Sequence, residues 1–179
     1  MFIIFEGPDG SGKSTLAEAV YRKTHATQIH HGPPPLGKAL ETFSHTILSA
    51  ATSPAPYVVD RLHWGDYPYG TVHRKSELGI DGIVDLDRWI TYIGGLIVYV
   101  QASAETVNAR IAARGGADSK WEDPEAMTQI VNLYDELFAA SQRECNALLR
   151  VDNNEFGDTD RIARDIIAEA EMLWNEGNH

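Results

Sequence analysis

The sequence predicts a three-layer α/β fold, in which a parallel sheet of about five strands is covered by helices on both faces. Strand-like and helix-like segments alternate along the 179 residues, as in strand–helix–strand units. The strand-like segments are apolar at successive positions, as expected when both faces of a sheet are buried. A glycine-rich segment, "GPDGSGKST", separates the first strand from the first helix. At this length we expect one domain spanning 1–179.

The first half of the chain contains three strand signals. "FIIFE" is an apolar run that predicts a buried strand, and "TQIH" predicts a short second strand. "YVVD" follows the turn-forming "SPAP" and predicts a third. Between them, the Ala/Leu-rich residues 13–24 and the apolar periodicity of 36–50 predict two helices.

The second half continues the alternation. "LIVYVQ", after two glycines, is the clearest buried strand, and "LLRVD" predicts the last one. Residues 104–114 fit a helix that is capped by Ser103. Further helices are predicted after Pro124 and over 158–174. The helix after Pro124 begins a stripe at helical spacing that predicts core packing, formed by Met127, Ile130, Tyr134, Leu137, Ser141 and Leu148.

Polar residues end three of the predicted strands, at Glu6, Asp60 and Gln101. In an open parallel sheet, ligands bind beyond the carboxyl ends of the strands. We therefore expect these three residues to mark the functional edge of the sheet.

The glycine-rich segment fits the phosphate-binding loop, or P-loop, in which a glycine, four residues and G-K-[ST] stand between a strand and a helix. Small residues let successive backbone N–H groups wrap a triphosphate at a helix N-terminus. In this pattern the lysine reaches the outer phosphates and the following hydroxyl binds Mg²⁺. The sequence therefore predicts a site for ATP and Mg²⁺, formed by Gly7, Asp9, Gly10, Ser11, Gly12, Lys13, Ser14 and Thr15.

Composition narrows the class of ligand. The formal net charge of -11 disfavours binding of long nucleic acid, whereas a few arginines suffice for a small phosphorylated substrate. No apolar run is long enough to span a bilayer and the first one lacks a basic flank, so we expect a cytoplasmic chain without membrane contact. The single cysteine, Cys145, is expected to be a packed thiol.

Three segments resemble thymidylate kinases. Asp9 lies inside the loop, where that family has an acidic residue facing the nucleotide sugar or the metal. "YVVDRLHWGDYPYGTVHR" resembles the signature in which D-R is followed by a helix with a polar residue and then a tyrosine. "NARIAARGGADSKWEDPEAM" resembles the family's mobile lid, here about residues 114–123. Compact versions of this kind resemble kinases encoded by bacteriophages.

The resemblance implies roles at the acceptor site. Arg61 would clamp the acceptor phosphate, and Asp60 would organise Mg²⁺ or the attacking oxygen. Tyr69 would press on the sugar, Asp66 would face the base, and Arg74 would add a contact.

In the lid, Arg110 and Arg114 would reach the phosphoryl group in transfer. The chain departs from the family in three places, one of which is the D-R step of the lid, read here as Asp118-Ser119 with Lys120 beyond it. Residues 35–57 are shorter and lack the helix that brings an aromatic residue and an arginine to thymine, and "HHGPPP" replaces an arginine before a Pro-Gly-Gly segment.

The predicted function is that of an ATP-dependent nucleoside monophosphate kinase, with dTMP or another deoxynucleotide as acceptor. An ionised Asp66 could accept from the ring N–H of thymine, the amino group of cytosine or both edge donors of guanine. The tyrosines near the end of the "YVVD" strand and Trp64 are candidates for base stacking or for core packing.

Two alternatives remain open at this point. One is a kinase of a hydroxyl group on a small molecule, a DNA end or a modified base. The other is a nucleotide-dependent switch, against which stands the absence of an N-K-x-D motif. A small nucleotide is the expected partner, and homodimer formation is left open.

Overall fold

The computed structural model describes residues 1–115, 122–155 and 157–177. Five parallel strands form one sheet in the order β2-β3-β1-β4-β5. Their bounds are β1 (Phe2–Glu6), β2 (Thr27–His30), β3 (Tyr57–Asp60), β4 (Gly95–Gln101) and β5 (Leu148–Asp152). The most apolar strands, β1 and β4, occupy the interior of the sheet, whereas β2 lies at an edge and is largely exposed.

Seven helices are present in the described part of the chain. They are α1 (Lys13–Thr24), α2 (Ala39–Thr52), α3 (Asp66–His73), α4 (Gly79–Tyr92), α5 (Ala104–Ala113), α6 (Pro124–Ser141) and α7 (Thr159–Gly177). Ser103 and Asp123 cap α5 and α6 with their side chains. The sequence had predicted all of these helices except α4, with α3 implied by the family resemblance alone.

Alternate residues of the strands face two separate cores. Phe2 and Ile4 belong to a core that includes residues of α2, α4, α5 and α6, whereas Ile3 and Phe5 belong to one with α1 and α7. Helices therefore cover both faces of the sheet. The predicted fold class, a five-stranded parallel sheet between helical layers, is confirmed.

The stripe predicted for the helix after Pro124 is also confirmed as core, since its five members within α6 are buried. Leu148 lies instead in β5 and is partly buried. Trp64 is fully buried and its ring lies 5.8 Å from that of Tyr99, so it packs in the core. Cys145 is buried, as expected of a packed thiol.

No helix in the described ranges is both long and apolar enough to cross a membrane. The sheet places the carboxyl ends of β1, β3 and β4 at one edge, because Phe5 pairs with Asp60 on one side and Glu6 with Tyr99 on the other. The candidate site lies along this edge.

Candidate functional site

Three glycines shape the loop between β1 and α1. Gly7, Gly10 and Gly12 have φ angles of 145°, 81° and 91°, which side-chain-bearing residues rarely adopt. A Cβ atom on Gly7 would lie 2.5 Å from the carbonyl oxygen of Val100, and one on Gly12 would lie 2.3 Å from Nδ2 of Asn153. The loop therefore packs tightly against the end of β4 and the segment after β5.

The loop leads directly into the N-terminus of α1. The first turn of this helix contains no acidic residue, so the partial positive charge of its N-terminus is available to an anion. Ser11 is fully buried, whereas Ser14 and Thr15 are exposed on the first turn. The structure thus brings all of the predicted loop residues around one helix end.

Asp9 pairs with the two principal cations of the site. Its Oδ1 lies 3.3 Å from Nζ of Lys13 and also accepts a hydrogen bond from Nη2 of Arg61. Burial alone would raise the pKa of Asp9, but the ammonium and the guanidinium outweigh it and lower that pKa. Burial in turn lowers the pKa of Lys13, against the effect of Asp9. The three groups form one electrostatic unit.

Ser14 and Asp60, the two residues predicted to bind Mg²⁺, are in direct contact. The Ser14 hydroxyl donates to Oδ2 of Asp60 at 2.7 Å, and Nδ1 of His30 lies 3.2 Å from the same oxygen. The other carboxylate oxygen of Asp60 is buried and has no hydrogen-bond partner within the described ranges. No cluster of three or more His, Cys, Asp or Glu among the described residues could hold a metal.

A hydroxyl beside an unsatisfied carboxylate oxygen nevertheless fits Mg²⁺. This ion usually takes one or two protein ligands and completes its shell with phosphate oxygens and water.

Arg61 stands at the junction of the loop and a cavity. It directly follows β3 with a φ of 68°, and its backbone N–H donates to the carbonyl of Phe5 at 2.9 Å. Its side chain reaches Asp9, and its Nε is buried without a hydrogen-bond partner in the described part of the chain. At least one donor of the guanidinium is therefore unused within the described residues.

The cavity beside Arg61 has a volume of about 320 Å³. Its walls are mostly apolar, and its charged residues are two Asp–Arg pairs, one of them at the loop between β1 and α1. A pocket with apolar walls and a few charged groups is typical of a small-molecule site. The lining residues are Asp9, His31, Gly32, Pro33, Pro34, Phe43, Arg61, Leu62, Gly65, Asp66, Tyr69, Arg74 and Tyr134.

Asp66, Tyr69 and Arg74, which the resemblance assigns to the acceptor site, all line this cavity. The Tyr69 hydroxyl accepts from the backbone N–H of Asp9 at 2.9 Å, which ties α3 to the loop. Oδ2 of Asp66 accepts from the Ser76 hydroxyl and from the backbone N–H groups of Glu77 and Leu78. Asp66 thus holds the entry to α4, while its Oδ1 lies 3.7 Å from Nη2 of Arg74 and accepts no hydrogen bond from the described residues.

Arg110 contacts the backbone behind the loop. Its guanidinium donates to the carbonyls of Gly10 and Ser11, each at 3.3 Å, and to those of Asn153 and Asn154 at 2.7 and 3.4 Å. It therefore braces the loop against the segment after β5.

Arg114 ends α5 and forms an ion pair with Glu122. The intervening residues 116–121 of the expected lid, which include Gly116 and Lys120, lie outside the described residues. The role of Arg110 and Arg114 toward a phosphoryl group remains a prediction.

Several site residues had no predicted role in ligand binding, among them Tyr134 and Asn153. Tyr134, expected in the core, is buried and also lines the cavity. Asn153 donates to the carbonyl of Ser11 at 2.7 Å and so supports the loop. It directly follows β5, so the strand-end rule that selected Asp60 could have found it.

Comparisons with protein-family models and with curated proteins give no match. Solved structures do match. The YorR protein of Bacillus subtilis, in complex with phosphorylated GDP, has a TM-score of 0.75 and 23% identity over 100% of this chain and 99% of that chain. Thymidylate kinase from Candida albicans has a TM-score of 0.62 and 15% identity over 99% of this chain and 93% of that chain. Deoxyadenosine kinase from M. mycoides with bound dATP has a TM-score of 0.57 and 18% identity over 100% of both chains. At these identities the likeness establishes the fold, which is that of P-loop kinases.

Proposed function

We propose that this protein is an ATP- and Mg²⁺-dependent nucleoside monophosphate kinase that phosphorylates a deoxynucleoside monophosphate. One observation carries the proposal: Arg61 stands where the phosphate-binding loop meets the 320 Å³ cavity and pairs with Asp9 of that loop. A second phosphate bound at Arg61 would therefore lie beside the donor triphosphate. We include in the proposal a single domain with a lid at about 114–123.

The donor half of the site follows from the loop. Backbone N–H groups of 7–15 would wrap the triphosphate of ATP, and Lys13 would neutralise its outer oxygens. Ser14 and Asp60 would hold Mg²⁺, which supplies charge neutralisation and alignment of the phosphate oxygens when bound. These residues would act by positioning and electrostatics, so no covalent intermediate is expected.

The acceptor half uses the cavity. Arg61 would leave Asp9 and grip two oxygens of the acceptor phosphate, as a planar guanidinium can. Tyr69 would pack on the sugar, and the open Oδ1 of Asp66 with Arg74 would face the base. Arg110 of α5 and Arg114 of the lid would contact the phosphoryl group during its transfer.

A nucleotide acceptor is supported by the ligand named for YorR, which is a phosphorylated GDP. Asp66 is compatible with thymine, cytosine or guanine, because all three present an N–H donor. dTMP and other deoxynucleotides are therefore all members of the acceptor panel below.

A hydroxyl kinase is the second candidate. Oδ1 of Asp60 is buried and unpartnered in the described part of the chain, so it could accept a proton from an attacking hydroxyl. A deoxyadenosine kinase is among the structures with this fold. Under this alternative the cavity would hold a nucleoside or sugar and Arg61 would not meet an acceptor phosphate.

ADP release from MgATP tests the proposal. Each nucleoside monophosphate, each nucleoside and a short DNA oligomer is offered as acceptor, with Lys13→Ala as the inactive control. We expect turnover with one or more deoxynucleoside monophosphates and little with the matching nucleosides. Equal turnover of nucleosides or DNA hydroxyls would replace the proposal with the hydroxyl kinase.

A further inference from the structure

The connection between β3 and α3, residues 61–65, is held by a buried carboxylate that the proposed mechanism does not use. The backbone N–H groups of Leu62, His63 and Trp64 all donate to Oε1 of Glu6, at 2.9, 2.9 and 3.1 Å. The Glu6 side chain is 0% exposed. Successive N–H groups that converge in this way form an anion-binding nest, and here the anion belongs to the chain itself.

A second buried carboxylate holds the same connection from the opposite direction. Oδ1 of Asp87, on α4, lies 2.7 Å from Nε2 of His63 and accepts from Nε1 of Trp64 at 2.9 Å. Its Oδ2 accepts from the hydroxyl of Ser141 at 2.5 Å, which adds α6 to the network. Asp87 therefore fixes the side chains of the connection, whereas Glu6 fixes its backbone.

The hydrogen bonds between this backbone and Glu6 matter because Arg61 is the first residue of the connection. A φ of 68° is uncommon for a residue other than glycine and persists where the surroundings determine it. Two contacts bracket this conformation: the Arg61 N–H is bonded to Phe5, and the next N–H, that of Leu62, is the first of the three on Glu6. The direction in which the Arg61 side chain leaves the backbone thus depends on Glu6.

We propose that Glu6 is a positioning residue that sets the backbone of Arg61 and thereby the affinity for the acceptor phosphate. This inference rests on the proposed function, in which Arg61 binds that phosphate. Glu6 itself touches no substrate. Its Oε1 accepts hydrogen bonds from the three backbone donors of the connection and lies 3.8 Å from Nδ1 of His63. What it supplies is an acceptor atom at a fixed distance from that backbone rather than a charge at the ligand.

Two variants distinguish the position of the acceptor oxygen of Glu6 from its charge. Glu6→Gln keeps an oxygen at the same reach and removes the charge, whereas Glu6→Asp keeps the charge and withdraws it by one methylene. We expect Glu6→Asp to raise the KM for the acceptor by about tenfold or more and to leave the KM for ATP within about threefold. Glu6→Gln should remain within about threefold of the unaltered protein in both constants.

Asp135→Ala is the matched control. Asp135 is likewise a carboxylate that accepts hydrogen bonds, but its two donors are the side chains of Tyr99 and Gln101, and within the described residues it accepts none from 61–65. The Asp135→Ala variant should lower the free energy of unfolding, and any change in its KM for the acceptor should be matched by a similar change in its KM for ATP. Loss of acceptor affinity in Glu6→Gln equal to that in Glu6→Asp, or an equal rise of both KM values in Glu6→Asp, would overturn the proposal.

Amide hydrogen exchange of Leu62, His63 and Trp64 in the ligand-free protein provides a measurement that needs no turnover. We expect exchange to accelerate by about tenfold or more in Glu6→Asp and to stay unchanged in Glu6→Gln, with a parallel shift of the Arg61 Nε–H resonance in Glu6→Asp alone. Unchanged exchange and resonance in Glu6→Asp would disprove the positioning role. If the unaltered protein phosphorylates no monophosphate, the proposed function fails, and this measurement still decides whether Glu6 holds Arg61.

Discussion

Asp9 pairs with Lys13 and Arg61 at once, and these are the residues proposed to bind the donor and the acceptor phosphates. Removing one partner from such a largely buried group leaves a charge without compensation, which costs more than an exposed pair would. The two substrates would therefore displace the same carboxylate. At the scale of single residues, Asp9 links the two halves of the site.

Arg61→Lys should weaken acceptor binding. Lysine keeps the charge but cannot donate two parallel hydrogen bonds to a phosphate, so we expect the acceptor KM to rise by about tenfold to a hundredfold while the KM for ATP changes little. Steady-state kinetics with each substrate varied in turn measures both constants. A silent Arg61→Lys would remove Arg61 from the acceptor site.

Glu6 should make stability depend on pH. Burial raises the pKa of Glu6 above its ordinary value of 4.5, against the opposing effects of His63 and three backbone N–H groups. A raised pKa gives stability that is present below 4.5 and is lost as pH rises through the folded-state pKa.

Glu6→Gln lacks this titration. The free energy of unfolding of Glu6→Gln minus that of the unaltered protein should therefore increase from pH 4.5 upward. Urea unfolding of both proteins at a series of pH values measures it, and a difference that does not change with pH would contradict the assignment.

At the scale of elements, the strands were predictable because an apolar run between turn signals has few other interpretations. Helix α4 was not predicted, since Gly79 and Gly82 lie in its first turn and its buried face includes the charged Asp87. Only the three-dimensional fold shows that this aspartate meets His63 and Trp64. Helix α5 was predictable, but the direction of Arg110 toward loop carbonyls was not, because spacing fixes a helix face and not its neighbour.

Arg110→Ala tests the brace between the loop and the segment after β5. Loss of the hydrogen bonds to the carbonyls of Gly10, Ser11 and Asn153 should raise the KM for ATP as well as lower kcat, and should destabilise the fold by about 1–3 kcal/mol. Arg110→Lys should recover only part of both, since one ammonium cannot span these carbonyls. Thermal unfolding and ATP kinetics together measure the effect. A fall in kcat alone, with unchanged KM and stability, would indicate that Arg110 acts only on the transferring group.

At the scale of the whole molecule, the eight residues of the loop motif lie around one helix end, because the motif requires a fixed backbone path. The cavity was less predictable. His31, Phe43 and Tyr134 come from three different parts of the chain, and each has an ordinary packing or solvent-exposed alternative in the sequence. Their convergence depends on how α2 and α6 lie on the sheet, which no local pattern specifies.

The pairing of site cations with internal carboxylates also bears on how fast an anionic ligand arrives. With a net charge of -11, and with Lys13 and Arg61 paired with Asp9 and Arg114 with Glu122, the ligand-free protein presents a mainly repulsive long-range field to a nucleotide.

Raising the ionic strength from about 0.01 M to about 0.15 M shortens the screening length from about 30 Å to about 8 Å. The association rate constant of a fluorescent nucleoside monophosphate should therefore increase with salt in stopped-flow mixing, whereas that of the uncharged nucleoside should not. A decrease for the monophosphate would mean that the cations already attract it from a distance. If the rate increases as expected, binding is an exchange of one anion for another. The incoming phosphate then takes the place of a carboxylate that the chain itself supplies.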